Sequence, residues 1–368
     1  MKIVLLSTLF SAGGAARVMT TMANYWVAAG HEVHLFSFED RGEVPFYPLH
    51  PRVCVTNLSL NRCSPNLLAS MVNNWQRLAT IRSNVKAVEP DAVVSFIDTA
   101  NIRTVVALLG TGIPVIVSER VHPGHEQIGW LWGTLRRLVY PLAESLVVQT
   151  KDIGEFFSGY RLRDLRVIPN AVVAPAPDAG GETLDGLTLL AVGRLDRQKG
   201  YDLLVRAFSR VAAKHPGWTL RVAGDGPLRD ELAQLTGALS LDDRVVWMGQ
   251  VADVAGLYAQ SNAYVMSSSY EGFPNALCEA MAAGLACVST DCPSGPADII
   301  RDGENGLLVP CDDEHALAAA LDRLMADPDL RRTLGARAAG VVDRFSQDRI
   351  MGMWEECILE AIGRRVRS

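Results

Sequence analysis

Short apolar runs rich in β-branched residues alternate along the chain with amphipathic helical patterns. Such runs predict strands, six in the first half and five in the second: 2–7, 32–38, 92–97, 114–119, 145–150, 165–169, 187–193, 218–224, 244–249, 262–268 and 286–290. Runs that are apolar on both faces and separated by helices are typical of parallel sheets covered on both sides. The predicted class is therefore α/β, with doubly wound sheets.

A segment without periodicity or charge density, near residues 171–186, holds two prolines and two glycines and predicts a domain boundary. We expect one Rossmann-like domain over 1–172 and another over 183–345. The segment 346–368 has the pattern of a helix, with Met351, Trp354, Ile358 and Ile362 on one stripe. It is expected to pack back on the first domain. Doubly wound sheets bind ligands at the carboxyl ends of their strands, so a cleft between the two halves is predicted.

Composition and charge narrow the function classes. The net charge of −6 divides into 16 Lys/Arg against 13 Asp/Glu over residues 1–170, and 19 against 28 over the rest. This balance argues against non-specific nucleic-acid binding, and it suggests an anionic partner for the first half. Seven cysteines without a C-x-x-C pair are typical of a reducing compartment. The longest uncharged apolar stretch, 104–118, is shorter than the roughly 20 residues that span a bilayer. A cytoplasmic location is predicted, with the apolar N-terminus interpreted as a first strand.

The segment 267–279, Ser-Ser-Ser-Tyr-Glu-Gly-Phe-Pro-Asn-Ala-Leu-Cys-Glu, directly follows a predicted strand. Pro274 suits the first position of a helix, which places Glu271 in the loop and Glu279 in the helix. The amides of Gly272, Phe273 and Asn275 are expected to point at a ligand. Carboxylates so placed accept hydrogen bonds from sugar hydroxyls. A capping loop with a solvated glutamate is the alternative.

Two glycine-containing loops follow other predicted strands. In 193–200, Gly-Arg-Leu-Asp-Arg-Gln-Lys-Gly, Arg194 and Lys199 lie beside a helix start, where a pyrophosphate would meet cations and free amides. Exposed surface charges are the alternative. In 11–17, Ser-Ala-Gly-Gly-Ala-Ala-Arg, glycines allow close approach of the backbone to a phosphate or sugar. No G-x-G-x-x-G is present, which argues against a dinucleotide cofactor.

These motifs, in this order and spacing, resemble those of the retaining glycosyltransferases of family four, which have the GT-B fold. Those enzymes have an E-x7-E motif, here Glu271 and Glu279, a G-R-L-x-x-x-K-G loop, here Gly193 to Gly200, and a glycine pair after the first strand, here Gly13 and Gly14. The segments 291–296 and 302–309 are also similar to those of bacterial members. The resemblance spans nearly the whole chain and is densest over 188–312.

The resemblance implies roles for these residues. Arg194 and Lys199 would bind the donor diphosphate, and Glu279 would accept hydrogen bonds from the ribose. Glu271 would contact the donor sugar, and the segment around Gly272, Phe273, Pro274 and Asn275 would hold its other hydroxyls. Gly193 belongs to the same loop as the cations, and Gly14 would approach the diphosphate from the other domain. No cofactor or metal is implied, because Arg and Lys replace a cation. The D-x-D at 327–329 is interpreted as a helix break with capping acids.

The chain departs from the family pattern in its first half. Arg120 stands where many relatives have a histidine, and His122 follows two positions later. Ala16 replaces a glutamate beside Arg17. We expect Arg17, Asp98, Arg120 and His122 as acceptor contacts. The alternatives are a helix cap for Asp98 and a polar loop residue for His122.

Two further helical patterns bear on the acceptor. In 125–142 the residues Ile128, Leu131, Trp132, Leu135, Leu138 and Leu142 share a face expected in the core, whereas Trp130, Arg136, Arg137 and Tyr140 lie on or beside the other. In 64–88 a similar face, which includes Trp75, is accompanied by Arg77, Arg82 and Lys86. Exposed aromatics beside arginines suit a membrane interface or a lipid-diphosphate acceptor. Ordinary domain helices are the alternative.

We therefore predict a cytoplasmic glycosyltransferase of GT-B fold at the membrane face. It would transfer a hexosyl unit with retention from a nucleotide sugar, UDP first and GDP next, to a saccharide, including one linked to a lipid. Three other functions stay open: a sugar-nucleotide epimerase, a phosphorylase carrying pyridoxal phosphate, and a non-catalytic membrane-surface module.

Overall fold

The chain folds into two compact units in a computed structural model that describes residues 1–8, 13–61, 67–125, 128–174 and 185–366. Unit 1 comprises Met1–Asn170 and Asp348–Ser368, and unit 2 comprises Ala171–Gln347. The chain thus leaves unit 1 once and returns to it once. Residues 175–184 of the predicted linker and Ser11 and Ala12 of the first glycine loop lie outside the described residues.

Unit 1 is built on a seven-stranded parallel sheet of order β3-β2-β1-β4-β5-β6-β7. Its strands are β1 Lys2–Ser7, β2 Glu32–Ser37, β3 Cys54–Asn57, β4 Ala92–Phe96, β5 Val115–Ser118, β6 Ser145–Val148 and β7 Leu165–Val167. Its helices are α1 Gly14–Ala28, α2 Leu67–Val88, α3 Asp98–Leu108, α4 Gly129–Val139 and α5 Lys151–Phe156. Ile3 pairs with Val33 on one side and with Ala92 on the other, so the strand order reverses at β1.

Unit 2 is built on a six-stranded parallel sheet of order β10-β9-β8-β11-β12-β13. Its strands are β8 Leu187–Val192, β9 Trp218–Ala223, β10 Val245–Gly249, β11 Ala263–Met266, β12 Cys287–Asp291 and β13 Leu307–Pro310. Its helices are α6 Tyr201–Ala212, α7 Arg229–Ala238, α8 Val254–Gln260, α9 Asn275–Ala282, α10 Pro296–Ile299, α11 Glu314–Ala326, α12 Pro328–Ala338 and α13 Val341–Arg344. The prediction of two doubly wound Rossmann-like sheets is confirmed.

The pattern of apolar runs missed two strands, and both lie at the edge of a sheet. β3 and β13 have four residues each and pair on one side only. The residues of β3 are half-buried or exposed, so this edge strand needs no continuous apolar run. The eleven predicted runs correspond to the remaining strands, which include the edge strands β7 and β10.

A final helix, α14 Gln347–Val366, completes the core of unit 1. Trp354 and Ile358 are fully buried, and the Trp354 ring lies 6.2 Å from that of Phe96 at the end of β4. In unit 2, Asp327 caps α12 by accepting from the amides of Asp329 and Leu330, as the D-x-D interpretation predicts. Within the described residues, every helix is too short or too polar to span a bilayer.

The predicted orientation of α4 is wrong in part. Trp130 is 83% exposed, as expected, but Leu138 is 66% exposed, and Leu131 and Leu142 are exposed as well. Arg136 and Tyr140, which were predicted to lie on or beside the solvent-exposed face, are buried. The reason is Glu119, a buried carboxylate that accepts from the Tyr140 hydroxyl and lies 3.8 Å from Arg136 Nη1. Because this buried carboxylate needs partners, Arg136 and Tyr140 turn inward. Leu131, Leu138 and Leu142 face solvent, whereas Trp132 and Leu135 pack against the core as predicted.

Candidate active site

The loops predicted to carry the chemistry of unit 2 lie side by side. β8 and β11 are neighbours at the point where the strand order of the sheet reverses. The segment 193–200 follows β8, and the segment 267–274 follows β11. The carboxyl ends of strands at such a reversal form the usual ligand crevice of an open α/β sheet. The fold therefore brings the two motifs to one place.

Lys199 and Glu271 form the centre of this site. Lys199 Nζ donates to Glu271 Oε1 at 2.6 Å, and Ser268 Oγ donates to the same oxygen at 2.7 Å. The Glu271 side chain is only 7% exposed. A buried carboxylate needs such partners to stay charged. The ammonium group, which has three donors, is thereby held in place with capacity for further acceptors.

Gln198 and the serines after β11 fix one loop to the other. Gln198 Nε2 donates to the Tyr270 backbone carbonyl at 2.9 Å. The backbone carbonyl of Gln198 accepts from the Ser269 amide at 2.8 Å. Ser267 Oγ donates to the Lys199 carbonyl at 2.8 Å. A Cβ added to Gly193 would lie 2.9 Å from the Tyr201 hydroxyl oxygen, so a glycine is needed there. These contacts set the position of Lys199 against Glu271.

Arg194 lies on the rim of the site. Its side chain is 71% exposed, and its Nε is 3.8 Å from Asp196 Oδ2. A surface pair of this length holds an arginine only weakly. The guanidinium is therefore available to an anion at the mouth of the loop.

The second glutamate of the motif lies in a helix, as predicted. α9 begins at Asn275, one residue later than expected, with Pro274 preceding it. Glu279 Oε2 accepts from the Tyr258 hydroxyl at 3.2 Å. Phe273 is buried with its ring edge-on to Phe345 at 5.4 Å, and Gly272 is buried beside it. The Asn275 amide donates to the Phe273 carbonyl within the turn, and its contact with a ligand stays a prediction.

In unit 1, the glycine pair lies at the start of α1. Gly13 precedes the helix in an extended conformation, Gly14 is its first residue, and no side chain of the described residues caps the helix. A Cβ at Gly13 would have no atom of the described chain within 4 Å. The glycine is thus not required by packing, and the space beside the helix start is open among the described residues. Arg17 is exposed on the first turn.

Asp98 opens α3 directly after β4, the other strand at the reversal of the unit 1 sheet. Its carboxylate accepts from the Thr99 amide, and burial raises its pKa, although the charges of Arg136 and Arg103 oppose this. The preceding residue, Ile97, has φ of +73°, which is rare for a β-branched residue. Such strain at a strand end often marks a functional site.

The Arg120 side chain is buried rather than exposed to a ligand. Its guanidinium lies over the rings of Phe96 and Trp354, at 4.8 Å and 5.7 Å, and its Nη1 donates to Asn170 Oδ1 at 2.8 Å. Burial lowers its pKa to about 9. It thus joins β4, α14 and the residue at which the chain leaves unit 1. As an acceptor contact it stays a prediction.

His122 is fixed by its neighbours. Its Nδ1 accepts from the Gly124 amide at 3.1 Å, and its Nε2 faces Asp152 Oδ2 at 3.4 Å. Burial lowers the pKa of the imidazole, against the effect of Asp152. The ring is therefore held in a defined orientation near the end of β5.

Three residues of the unit 2 site escaped prediction: Gln198, Ser268 and Tyr258. The serine run after β11 was quoted, but nothing in its sequence distinguishes the hydroxyl that meets Glu271. Tyr258 comes from α8, 21 residues before its partner. Only the folded chain brings these residues together.

Comparison with known proteins gives two family matches. Residues 12–174 match the family described as Glycosyltransferase Family 4, and residues 177–341 match the family described as Glycosyl transferases group 1. An exopolysaccharide phosphotransferase of Streptomyces coelicolor is 31% identical over 96% of this chain, which spans only 40% of that relative's length.

A second relative matches along its whole length. It is a Campylobacter jejuni alpha-1,4-N-acetyl-D-galactosaminyltransferase named for an undecaprenyl-diphosphate-linked glycan, 29% identical over 98% of this chain and 99% of its own. Among solved structures, sucrose-phosphate synthase from Thermosynechococcus elongatus matches with a TM-score of 0.85 and 20% identity, over 99% of this chain and all of its own. HepE of Anabaena in complex with UDP matches with a TM-score of 0.79 and 19% identity, over 98% and 100%. At these identities the structures show a shared fold.

Proposed function

The chain belongs to the glycosyltransferases that combine a family 4 half with a group 1 half, and from that premise we propose that it transfers a hexosyl unit from a UDP-sugar to a saccharide hydroxyl with retention of configuration. The acceptor in this proposal is a glycan on a polyprenyl diphosphate, as named for the Campylobacter relative. The observation that carries the proposal is the Lys199–Glu271 pair, held by Ser268 at the strand reversal of unit 2.

In the proposed donor site, Lys199 and Arg194 bind the diphosphate. Glu271 accepts a hydrogen bond from one N–H of the Lys199 ammonium and so aims the other two at the phosphate oxygens. Arg194, exposed at the rim, closes on the diphosphate when the donor binds. Glu279, oriented by Tyr258, accepts hydrogen bonds from the ribose hydroxyls. In unit 1, the amides at the start of α1, where Gly14 lies, suit an anion for the same physical reason.

Bond breaking builds negative charge on the leaving diphosphate. Preorganised cations stabilise that charge without reorganising, which lowers the barrier of the step. The acceptor hydroxyl attacks from the face on which the diphosphate leaves, and a donor phosphate oxygen takes its proton. The protein thus supplies position and charge rather than a nucleophile. Because Arg194 and Lys199 serve as the cations, we expect turnover to persist when divalent metals are chelated.

Contact with a membrane surface belongs to the same proposal. α4 exposes Trp130, Leu131 and Leu138 together with Arg137, an apolar face carrying a cation. Such a face fits the interface of an anionic bilayer, where an aromatic ring and leucines insert and arginine meets phosphate. The excess of basic over acidic residues in 1–170 supports this orientation.

The experiment that tests the donor site is a thermal shift with UDP, GDP, ADP and CMP. A ligand at 100 times its Kd adds about 2.7 kcal/mol to the free energy of unfolding. We expect UDP to stabilise the wild type, to fail with Glu279→Ala, and to act normally on Glu231→Ala, an exposed glutamate on α7. Failure of all four nucleotides to bind the wild type would reject the proposal.

Product analysis separates the remaining alternatives. An epimerase would interconvert UDP-sugars without an acceptor. A phosphorylase would show the absorbance of pyridoxal phosphate in the purified protein. A membrane-surface module would bind liposomes and no nucleotide. Transfer of the sugar to a lipid-linked saccharide, with the α-anomer conserved, is the outcome expected here.

A further inference from the structure

The chain leaves unit 2 beside the loop that carries Glu271, residues 267–274, here called the Glu271 loop. α13 ends at Arg344, and Phe345 follows it just before the chain returns to unit 1. Phe345 is buried, and its ring centre lies 5.4 Å from that of Phe273 in the Glu271 loop. Neither Arg344 nor Phe345 belongs to a motif assigned to the donor. Their contacts nevertheless lead back to Glu271.

Arg344 holds the end of α10. Its Nη1 donates to the Ile299 carbonyl at 2.8 Å, and its Nη2 donates to the Asp298 carbonyl at 2.6 Å. Its guanidinium lies 5.0 Å from the Phe345 ring centre. The last carbonyls of a helix suit an arginine, because its donors satisfy them and its charge is favourable there. Arg344 thereby fixes α10 against the end of α13.

The segment that leads into α10 is in direct contact with the Glu271 loop. The Glu271 amide donates to the Pro293 carbonyl at 3.1 Å. Gly295 has φ of +116°, and a Cβ added there would lie 2.5 Å from Pro274 Cδ, so no side chain fits between the two segments. A shift of α10 therefore reaches the backbone of Glu271. Through the Glu271 carboxylate it reaches the lysine paired with it.

Phe345 also contacts the segment by which the chain enters unit 2. Unit 2 begins at Ala171, and the amide of the next residue, Val172, donates to the Phe345 carbonyl at 2.9 Å. Val172 is buried. The backbone of Phe345 thus holds the entry of the chain, while its ring contacts the Glu271 loop. Together with Arg344 it connects the entry into unit 2, the exit from unit 2 and the support of Glu271.

We propose that Arg344 and Phe345 are positioning residues of the donor site, which set the Glu271 loop and couple its occupation to the two segments by which the chain enters and leaves unit 2. A nucleoside diphosphate bound to Lys199 restrains Glu271 through their hydrogen bond. The contacts described above carry that restraint to both segments. This rests on the proposed function, which it deepens by naming the residues through which the rest of the chain responds to the donor.

Hydrogen exchange of the full chain with and without UDP, followed by mass spectrometry, tests the coupling. A local opening that abolishes UDP binding becomes rarer by the factor 1 + [UDP]/Kd, or about 100-fold at 100 times the Kd. If release of Phe345 or of α10 disrupts the donor site, the amides of Val172, α10 and residues 341–347 exchange more slowly by a factor that approaches this limit. We expect that result for the wild type.

Arg331→Gln is the matched control for Arg344→Gln. Arg331 Nη1 donates to two carbonyls in the last turn of α11, and its guanidinium lies 5.0 Å from the ring of Trp218, at the amino end of β9. It thus makes the same kinds of contact far from the strand ends that carry the site. We expect a similar fall in Tm for both variants. The UDP-dependent slowing of exchange in 341–347 should fall about tenfold or more in Arg344→Gln and in Phe345→Leu, and remain at the wild-type value in Arg331→Gln.

Three outcomes would overturn the positioning role and leave the proposed function intact. UDP could bind the wild type without slowing exchange at Val172, α10 or 341–347. Arg344→Gln and Phe345→Leu could keep the wild-type slowing. Arg331→Gln could lose it as fully as they do, which would show an effect of stability alone. If UDP does not bind the wild type, the proposed function fails, and the positioning role fails with it.

Discussion

Lys199 and Arg194 carry the same charge in very different surroundings, and this difference can be measured. Lys199 is paired with a buried carboxylate, whereas Arg194 is on the surface. Lys199→Ala leaves Glu271 without its cation and should lower the free energy of unfolding by about 3 kcal/mol. Arg194→Ala should leave stability unchanged. If both cations bind the diphosphate, each substitution lowers kcat on the order of 10²-fold.

Arg197→Ala, an exposed cation in the same loop, is the control for both variants. Stability is followed by chemical unfolding and turnover by single-substrate kinetics. Adding Glu271→Gln to Lys199→Ala should recover stability but not turnover. Unchanged kcat in both single variants would contradict the diphosphate assignment.

Asp98 predicts a pH dependence of stability. Its folded pKa is raised, so the unfolded chain releases this proton first as pH rises, and Asp98 then opposes folding. Asp98→Asn should raise the free energy of unfolding at pH 7, and the gain should shrink as pH falls through the raised pKa of the folded carboxyl. Urea titrations across that range check it, with Asp40→Asn, an exposed acid, as the control. A gain that grows towards acid pH would contradict the assignment.

At this scale the sequence predicted which residues lie together better than it predicted how deeply they are buried. The motifs pointed to Lys199, Glu271 and Glu279, because residue types and spacing are written in the chain. That Arg120 is buried between two rings depends on Trp354, more than 200 positions away, and no local pattern reports it.

Among the elements, the turn into α6 is the least tolerant of substitution. Gly200 has φ of +60°, and an added Cβ would lie 2.3 Å from the Ser267 carbonyl oxygen. Gly200→Ala should therefore destabilise by more than 1 kcal/mol and separate the two loops of the site, which lowers turnover. Gly217→Ala, where a Cβ has no atom within 4 Å, should do neither. Thermal unfolding and kcat report both effects, and a Gly200→Ala enzyme with wild-type properties would show that the turn can relax.

α4 shows what hydrophobic periodicity cannot decide. Its leucine face and its arginine–tyrosine face are both plausible cores, and a buried carboxylate from another element selects the second. Leu138→Ser together with Trp130→Ser should therefore keep the thermal stability and reduce sedimentation with anionic vesicles several-fold. Leu135→Ser, on the packed side of the helix, should instead destabilise. Undiminished vesicle binding in the double variant would place any membrane contact elsewhere.

For the whole molecule, unit 2 is continuous in sequence and unit 1 is not. The fragment 171–347 retains a complete sheet, its core and the Lys199–Glu271 pair. It should unfold cooperatively and respond to UDP. A chain ending at residue 347 lacks Trp354 and Ile358 and should lose the unfolding transition of unit 1. Calorimetry of the full chain, the 171–347 fragment and the chain that ends at residue 347 tests these expectations. An unfolded 171–347 fragment would contradict the first of them.

The two-sheet architecture was predictable because buried parallel strands are long, apolar runs. Two of its four edge strands, β3 and β13, were not predicted: each has four residues and pairs on one side only.

The return of the chain to unit 1 also sets an order of events on the ribosome. Domains usually complete from the N-terminus onward, at about 5–20 residues per second. Here the helix that closes the first unit is translated after all 177 residues of the second (171–347), a delay of roughly 10 to 35 s. During this delay unit 1 lacks the helix that covers the ring of Phe96, whereas unit 2 can already fold. Nascent chains stalled during this interval should be the ones that chaperones bind.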